Sequence, residues 1–310
     1  MPPEVAARLR ALFDVTLNDD DIPLTQAELV GAMQTADGIL GTVTDRFDAE
    51  TIAAGGRRRA QIVATFAVGY NNIDVAAAAR EGLVVTNTPD VLTDATADIA
   101  LLLMLAATRR AWEFETMLRR GEWTGFGPTS FLGTGVQGKT VGIIGMGRIG
   151  KAMAQRCHVL GMRVIYYNRS PVADPGVPGA VARDSIDAVM AEADVVSLHM
   201  PGGAANRKVI SAERLALMKP TAFLINSARG DVVDEEALVE MLANRRIAGA
   251  GLDVFFDEPK VPAALLALDN VTLLPHLGSA TIETRTAMGM LAVDNLEAHF
   301  AGKPYPSRVA

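Results

Sequence analysis

The chain has 310 residues, 49% of them hydrophobic, and a formal net charge of -7 at pH 7. That length holds two domains of ordinary size, and the apolar share can fill sizeable cores. The acidic balance argues against a broad nucleic-acid surface, and the single cysteine, Cys157, excludes an internal disulfide; no metal-ligand cluster surrounds it.

Pro3 to Leu12 reads as a helix with proline in its first turn, followed by a strand over Asp14 to Leu17. A helix over Leu24 to Met33, a strand over Gly38 to Val43 and a short helix over Asp48 to Ala54 come next. Arg57-Arg58-Arg59 reads as a solvated loop. Gln61 to Ala67 is a strand ending in Val68-Gly69-Tyr70. Val75 to Arg80 is a short alanine-rich helix, and Leu83 to Thr86 is a strand. This alternation predicts a parallel sheet with helices on its faces. It starts with a helix, whereas a flavodoxin-like sheet starts with an interior strand. Either this domain lacks that strand, or the chain begins downstream of the natural start.

Asp94 to Arg120 reads as one long helix crossing between domains. Its half from Ile99 to Ala107 is apolar all round and is expected to be buried. That run is too short to span a bilayer, and Met1-Pro-Pro-Glu opens a charged helix rather than a signal peptide. The expected location is the cytoplasm, with no membrane partner. Gly121 to Gly138 is a loop carrying Trp123, Phe126 and Phe131. Such a loop either contacts a partner subunit or is pinned to its own domain.

Lys139 to Ser170 then reads as strand, glycine turn, helix, strand. Val141, Ile143 and Ile144 form a buried parallel strand. Gly145-Met146-Gly147-Arg148-Ile149-Gly150 follows at once. The helix runs from Lys151 to Leu160, Gly161 stops it, and Arg163 to Tyr167 is the second strand. In this context the glycines point to a dinucleotide site: one for the tight turn, one for close approach of a pyrophosphate, one for helix packing. The helix N-terminus adds N–H groups and a favourable dipole. The second strand ends in Asn168-Arg169-Ser170, where an NAD site usually has an acid for the ribose 2′-OH. An Arg among small polar groups suits a 2′-phosphate instead, so NADPH is expected to be preferred, with NADH possible.

The alternation resumes with strands over Asp194 to Leu198, Ala222 to Asn226, Gly249 to Val254 and Val271 to Leu274. Helices are expected over Ala212 to Met218, Glu235 to Ala243 and Thr281 to Phe300. Polar features recur at the strand ends, where open α/β sheets bind ligands: Asn168-Arg169-Ser170, His199, Arg229, Glu258 and His276. Arg229 can grip a carboxylate bidentately, or it can pair with Asp231 or Asp234. Glu258 and His276, each unremarkable in its own turn, together with Arg229 make an anion grip, an imidazole and an acid to orient it. That set can protonate a carbonyl oxygen while a nicotinamide delivers hydride. No metal site is expected.

VGYNNIDV, TNTPDVLTDATADIAL, GKTVGIIGMGRIG, INSARGDVVDEEAL, GLDVFFDEP and LLPHLGSAT occur in the order and spacing of the D-isomer-specific 2-hydroxyacid dehydrogenases. The chain resembles that family over nearly its whole length. The NRS strand end, with Trp123 and Phe126, is most similar to its glyoxylate and hydroxypyruvate reductase branch. The resemblance implies two Rossmann-like α/β domains with parallel sheets and a cleft between them. Residues 1–93 and 282–310 would form the flavodoxin-like substrate domain, and residues 94–281 the dinucleotide-binding domain. It implies a homodimer acting on a small 2-oxo acid. Arg229 would bind the substrate carboxylate and carbonyl, His276 would be the general acid in reduction, and Glu258 would favour protonated His276. The N–H groups of Val68 and Gly69 would hold the substrate carboxylate. Asp253 would contact the nicotinamide carboxamide, Thr96, Arg148 and Ile149 the pyrophosphate, and His199 and Pro201 the adenosine. Ala228 and Gly278 complete the cofactor contacts. Asn206 stands where the family often has Thr.

Two other readings compete. A reductase of 2-ketogluconate or another bulkier 2-oxo acid would differ in the pocket near Val68 and in the 121–138 loop. A nucleotide-sensing corepressor with the same fold can keep the triad, although the acidic chain gives it little support. The family's formate dehydrogenases typically carry Gln where this chain has Glu258.

Overall fold

The computed structural model describes residues 1–18 and 22–310. The chain divides into two compact units, one of Met1–Leu92 with Ala280–Ala310, the other Thr93–Ser279. The first unit contains helices α1 (Pro3–Leu12) and α2 (Gln26–Thr35), strand β1 (Gly38–Gly41), α3 (Ala49–Ala53), β2 (Ile62–Thr65), α4 (Val75–Arg80) and β3 (Val84–Thr86). The second contains α5 (Thr93–Arg109), α6 (Ala111–Arg119), β4 (Thr140–Ile144), α7 (Arg148–Val159), β5 (Arg163–Tyr167), β6 (Val181–Ala182), α8 (Ile186–Glu192) and β7 (Val195–Leu198). It continues with α9 (Ala212–Leu215), β8 (Phe223–Asn226), α10 (Glu235–Ala243), β9 (Gly249–Leu252), α11 (Ala263–Leu266) and β10 (Val271–Leu273), before α12 (Ile282–Phe300) returns the chain to the first unit.

The first unit has a parallel sheet in the order β1-β2-β3. Leu29, Met33, Ile52 and Ala77 pack on one face of it, and Val5, Leu9, Val293 and Leu296 on the other. Gly289 of α12 lets α1 close in, because a Cβ there would lie 2.5 Å from Val5. The strand expected over Asp14 to Leu17 does not form. Among the described residues no strand pairs with this segment, and Val15 and Leu17 instead lie partly buried against the α1–α12 cluster. Apolar alternation alone cannot make a strand without a ladder partner.

The second unit's sheet is parallel throughout, in the order β10-β9-β8-β7-β4-β5-β6. Two strand glycines set how closely helices pack on it. A Cβ at Gly142 of β4 would lie 2.4 Å from Val189 of α8, and one at Gly251 of β9 would lie 2.8 Å from Leu103 of α5.

The expected single helix over Asp94 to Arg120 is two helices, both inside the second unit. Arg110 breaks it with a left-handed φ of 55°. The cause is tertiary: the Thr108 carbonyl accepts the Thr134 N–H at 2.7 Å, and the Arg110 guanidinium is held by Glu113 and the Leu132 carbonyl. Nor is α5 buried all round, since it packs on the sheet through Ala97, Ala100, Leu103, Met104 and Ala107 and leaves Leu102 51% exposed. No residue of α6 is buried.

Candidate active site

The site is built at the carboxyl ends of the second unit's strands. β4 has β5 on one side and β7 on the other, so the strand order reverses there and a crevice opens beyond the strand ends. The three glycines answer separate needs. Gly145 has a φ of 99°, and a Cβ on it would lie 2.8 Å from the His199–Met200 backbone. A Cβ at Gly150 would lie 2.1 Å from the Gly145 carbonyl. At Gly147, among the described residues, no atom beyond its own chain neighbours lies within 4 Å of that position, so the space is open to a ligand. Helix α7 begins at Arg148, one turn earlier than expected, because Gly147 is its N-cap. No side chain caps that end and no acid sits in its first turn. An open, uncapped helix start fits a dinucleotide pyrophosphate.

At the end of β5, Asn168 bridges the two halves of this cradle. Its Oδ1 accepts the Met146 N–H at 3.0 Å and its Nδ2 donates to the Ser170 carbonyl at 2.8 Å. Arg169 and Ser170 are exposed, and among the described residues Arg169 has no ion-pair partner. After β7, His199 Nε2 lies 2.9 Å from Ser197 Oγ, and burial pushes its pKa down to about 4, so the ring is neutral at pH 7. Pro201 follows, exposed, with its carbonyl held at 2.8 Å by Asn206 Nδ2.

The chemistry-bearing side chains come from β8, β9 and β10. Asn226, buried at the end of β8, fixes the turn that carries Arg229: its Oδ1 accepts the Ala228 N–H at 3.0 Å and its Nδ2 donates to the Arg229 carbonyl at 2.9 Å. Sequence reasoning missed this residue, although an Asn at a strand end is a known turn former. Among the described residues the Arg229 guanidinium reaches only the Ala228 carbonyl, at 2.7 Å. It does not pair with Asp231, which accepts the Gly203 N–H, or with Asp234, which pairs with Lys208. Burial pushes the pKa of Arg229 down, against the opposing charges of Glu258 and Asp231. A largely desolvated cation without a carboxylate partner is costly, and a bound anion relieves it.

Glu258 follows β9. Its Oε1 accepts the Phe255 N–H at 3.0 Å and its Oε2 lies 2.6 Å from His276 Nδ1. Burial raises this carboxyl, but the hydrogen bond to His276, the charge of that ring, the Phe255 N–H and Arg229 outweigh it and hold Glu258 below its usual range. His276 follows β10 with a left-handed φ of 54°, a conformation that histidine tolerates better than most residues. With Glu258 on Nδ1, Nε2 is left for a reacting oxygen. Asp253 is fully buried; its carboxylate accepts the N–H groups of Leu277 and Gly278, while the Thr96 hydroxyl donates to the Gly278 carbonyl at 3.0 Å. Val68 and Gly69 belong to the first unit, in the turn after β2, and among the described residues neither N–H has a hydrogen-bond partner. Among the described residues no cluster of His, Cys, Asp and Glu could hold a metal ion. No described helix is long and apolar enough to cross a membrane.

Residues 101–278 match the family described as D-isomer specific 2-hydroxyacid dehydrogenase, NAD binding domain. Two glyoxylate reductases match across both units. That of Thermococcus kodakarensis is 45% identical over 307 residues, 97% of this chain and 91% of the relative. That of Thermococcus onnurineus is 44% identical over the same shares. The chain belongs to the D-isomer specific 2-hydroxyacid dehydrogenase family. It is an NAD(P)-dependent dehydrogenase with a nicotinamide dinucleotide cofactor. Among solved structures of this family, an NADPH-dependent glyoxylate/hydroxypyruvate reductase from Sinorhizobium meliloti, in complex with NADP and malonate, superposes with a TM-score of 0.86 at 40% identity, covering 99% of this chain and 93% of that one. A glyoxylate reductase from Paecilomyes thermophila superposes with a TM-score of 0.88 at 33% identity, covering 99% and 94%.

Proposed function

We propose that this dehydrogenase is an NADPH-preferring reductase of small 2-oxo acids such as glyoxylate and hydroxypyruvate, forming D-2-hydroxy acids. The observation that carries the reading is the unpaired Arg229 guanidinium, at the strand end next to those bearing the Glu258–His276 pair. It is an anion site beside a proton donor. The names of the relatives support the substrate class.

Arg229 binds the carboxylate of the 2-oxo acid. Bound, the dinucleotide supplies the hydride for C2. His276 gives its Nε2 proton to the C2 oxygen, and Glu258 on Nδ1 stabilises the charged ring beforehand. Glycines 145, 147 and 150, with Arg148 and Ile149, hold the pyrophosphate. His199 and Pro201 border the adenosine. The preference for NADPH rests on the neutral Asn168 where an acid would repel a 2′-phosphate, and on the unpaired Arg169 beside it.

The enzyme is further proposed to work as a homodimer. No residue of helix α6 is fully buried, and Leu102, Leu118, Trp123 and Phe126 are exposed on it or near it in sequence, Phe126 being 89% exposed. Light scattering coupled to size exclusion checks this, and a monomer at assay concentration rejects it.

A panel of 2-oxo acids, assayed with both cofactors, tests the main proposal. Turnover of glyoxylate or hydroxypyruvate with a higher kcat/KM for NADPH is the expected result. Replacing Arg169 with Ala should raise the KM for NADPH by about tenfold or more, the loss of one charged hydrogen bond, and leave that for NADH unchanged. Failure with every 2-oxo acid would reject the function, and a wild-type preference for NADH would reject the cofactor assignment.

A further inference from the structure

We propose that Asp253 and Thr96 are positioning residues for His276, clamping the turn that presents its imidazole. Three consecutive N–H groups of that turn end on Asp253. Its carbonyl accepts from His276 at 2.9 Å, Oδ1 from Leu277 at 2.6 Å and Oδ2 from Gly278 at 2.8 Å. Thr96, from the first turn of α5, holds the other side of the same segment by donating to the Gly278 carbonyl at 3.0 Å. Both side chains are buried.

The arrangement answers a specific need. His276 sits at a φ of 54°, where a side chain is disfavoured unless its surroundings over-determine the backbone. Asp253 supplies that over-determination at a cost to itself. Burial pushes its carboxyl up, and the Leu277 and Gly278 N–H groups with the His276 charge partly offset the penalty. A fully buried carboxylate with an N–H on each oxygen is committed to the turn it holds. The family resemblance implies only a cofactor contact for both residues; the geometry adds a route from each to the proton donor.

This inference rests on His276 as the general acid, so His276→Gln is measured alongside. The variants are Asp253→Asn, which keeps shape but offers one acceptor in place of two, Thr96→Val, which removes the hydroxyl, and Thr96→Ser, which restores it. Asp253→Asn should lower kcat with glyoxylate by about 10- to 100-fold, the scale of an ångström-sized misplacement of a reacting group. The NADPH Kd, read by fluorescence titration, should rise by a smaller factor than kcat falls, since the glycine cradle is untouched and only the carboxamide contact is altered. Thr96→Val should lose kcat by several-fold and Thr96→Ser should regain it. In the His276→Gln background, Asp253→Asn should cost little more, because residues acting through one group are not additive.

The inference is overturned if Asp253→Asn weakens NADPH binding and leaves kcat at saturation unchanged, or if it costs the same factor with and without His276. If Asp253→Asn does not fold, judged by circular dichroism, the Thr96 pair decides by the same readouts, and equal kcat in Thr96→Val and wild type overturns it. Wild-type kcat in His276→Gln alone would instead reject the general-acid reading.

Discussion

Replacing Glu258 with Gln keeps the shape of the side chain and removes the charge that faces His276 at 2.6 Å. A hydrogen bond between charged groups contributes about 1.5–3 kcal/mol. Both side chains are about one-third exposed, at 33% and 34%, so solvent screening favours the lower end of that range. At about 1.4 kcal/mol per factor of ten, the loss corresponds to about tenfold. Glu258 is itself held ionised below the usual carboxylate range, so its charge is present at neutral pH. In the proposed reduction His276 delivers a proton, and the Glu258 carboxylate on Nδ1 offsets the charge of the donor. Glu258→Gln should therefore lower kcat/KM for glyoxylate by about tenfold at pH 7. Initial rates with saturating NADPH measure the loss. Equal kcat/KM in Glu258→Gln and wild type would refute the assignment of Glu258 as the partner of His276 in proton transfer.

Gly150→Ala should lower the Tm by several degrees and weaken NADPH, because its Cβ would meet the Gly145 carbonyl at 2.1 Å; Gly147→Ala, with no protein atom within 4 Å, should weaken NADPH and leave the Tm nearly unchanged. Thermal melts and fluorescence titrations separate the two. His199, neutral in the fold with a pKa of about 4, contributes stability above its unfolded value of 6.5 that is lost as pH falls from 6.5 towards 4. The upper bound on that loss is about 3 kcal/mol, less what the partial exposure of the residue retains. Urea melts at pH 7 and 4.5 should therefore show a smaller acid loss for His199→Gln than for wild type. The Cys157 thiol, pushed up to about 12 by burial, should resist alkylation in the native protein at pH 8 and react on unfolding, as followed by mass spectrometry.

Much of the second unit was legible in the sequence because its signals are local. The β-branched run before Gly145, the spacing of the glycines and the stop at Gly161 each act within a few residues. They placed β4, α7 and β5 to within a turn. The strand-end positions of Arg229, Glu258 and His276 followed from the same alternation. What stayed hidden depends on neighbours distant in sequence. Residues 109 to 112, Arg-Arg-Ala-Trp, contain no helix breaker, and the break at Arg110 comes from the segment 132–134 docking on the end of α5. The strand expected at Asp14 to Leu17 had the right residues and no partner. Asp253 read as a cofactor contact because sequence cannot tell that β9 and β10 end side by side, which brings its carboxylate under the turn of His276.

Glu258 and Arg229 are treated in opposite ways, and the contrast explains what they can do. Glu258 is over-provided, with an N–H donor, an imidazole and the field of Arg229 all favouring its ionised form. Arg229 is under-provided, desolvated and left with one carbonyl. Had evolution placed Asp231 or Asp234 on that guanidinium, the site would be neutral at rest and an incoming carboxylate would have to displace a partner. As built, Asp231 is turned to Gly203 and Asp234 to Lys208. In the proposed mechanism the substrate's own carboxylate completes the pairing, and the same act brings its C2 oxygen toward the imidazole that Glu258 holds through Nδ1. Binding energy for the anion is thereby coupled to alignment of the carbonyl, which is how a remote charged group raises kcat as well as affinity.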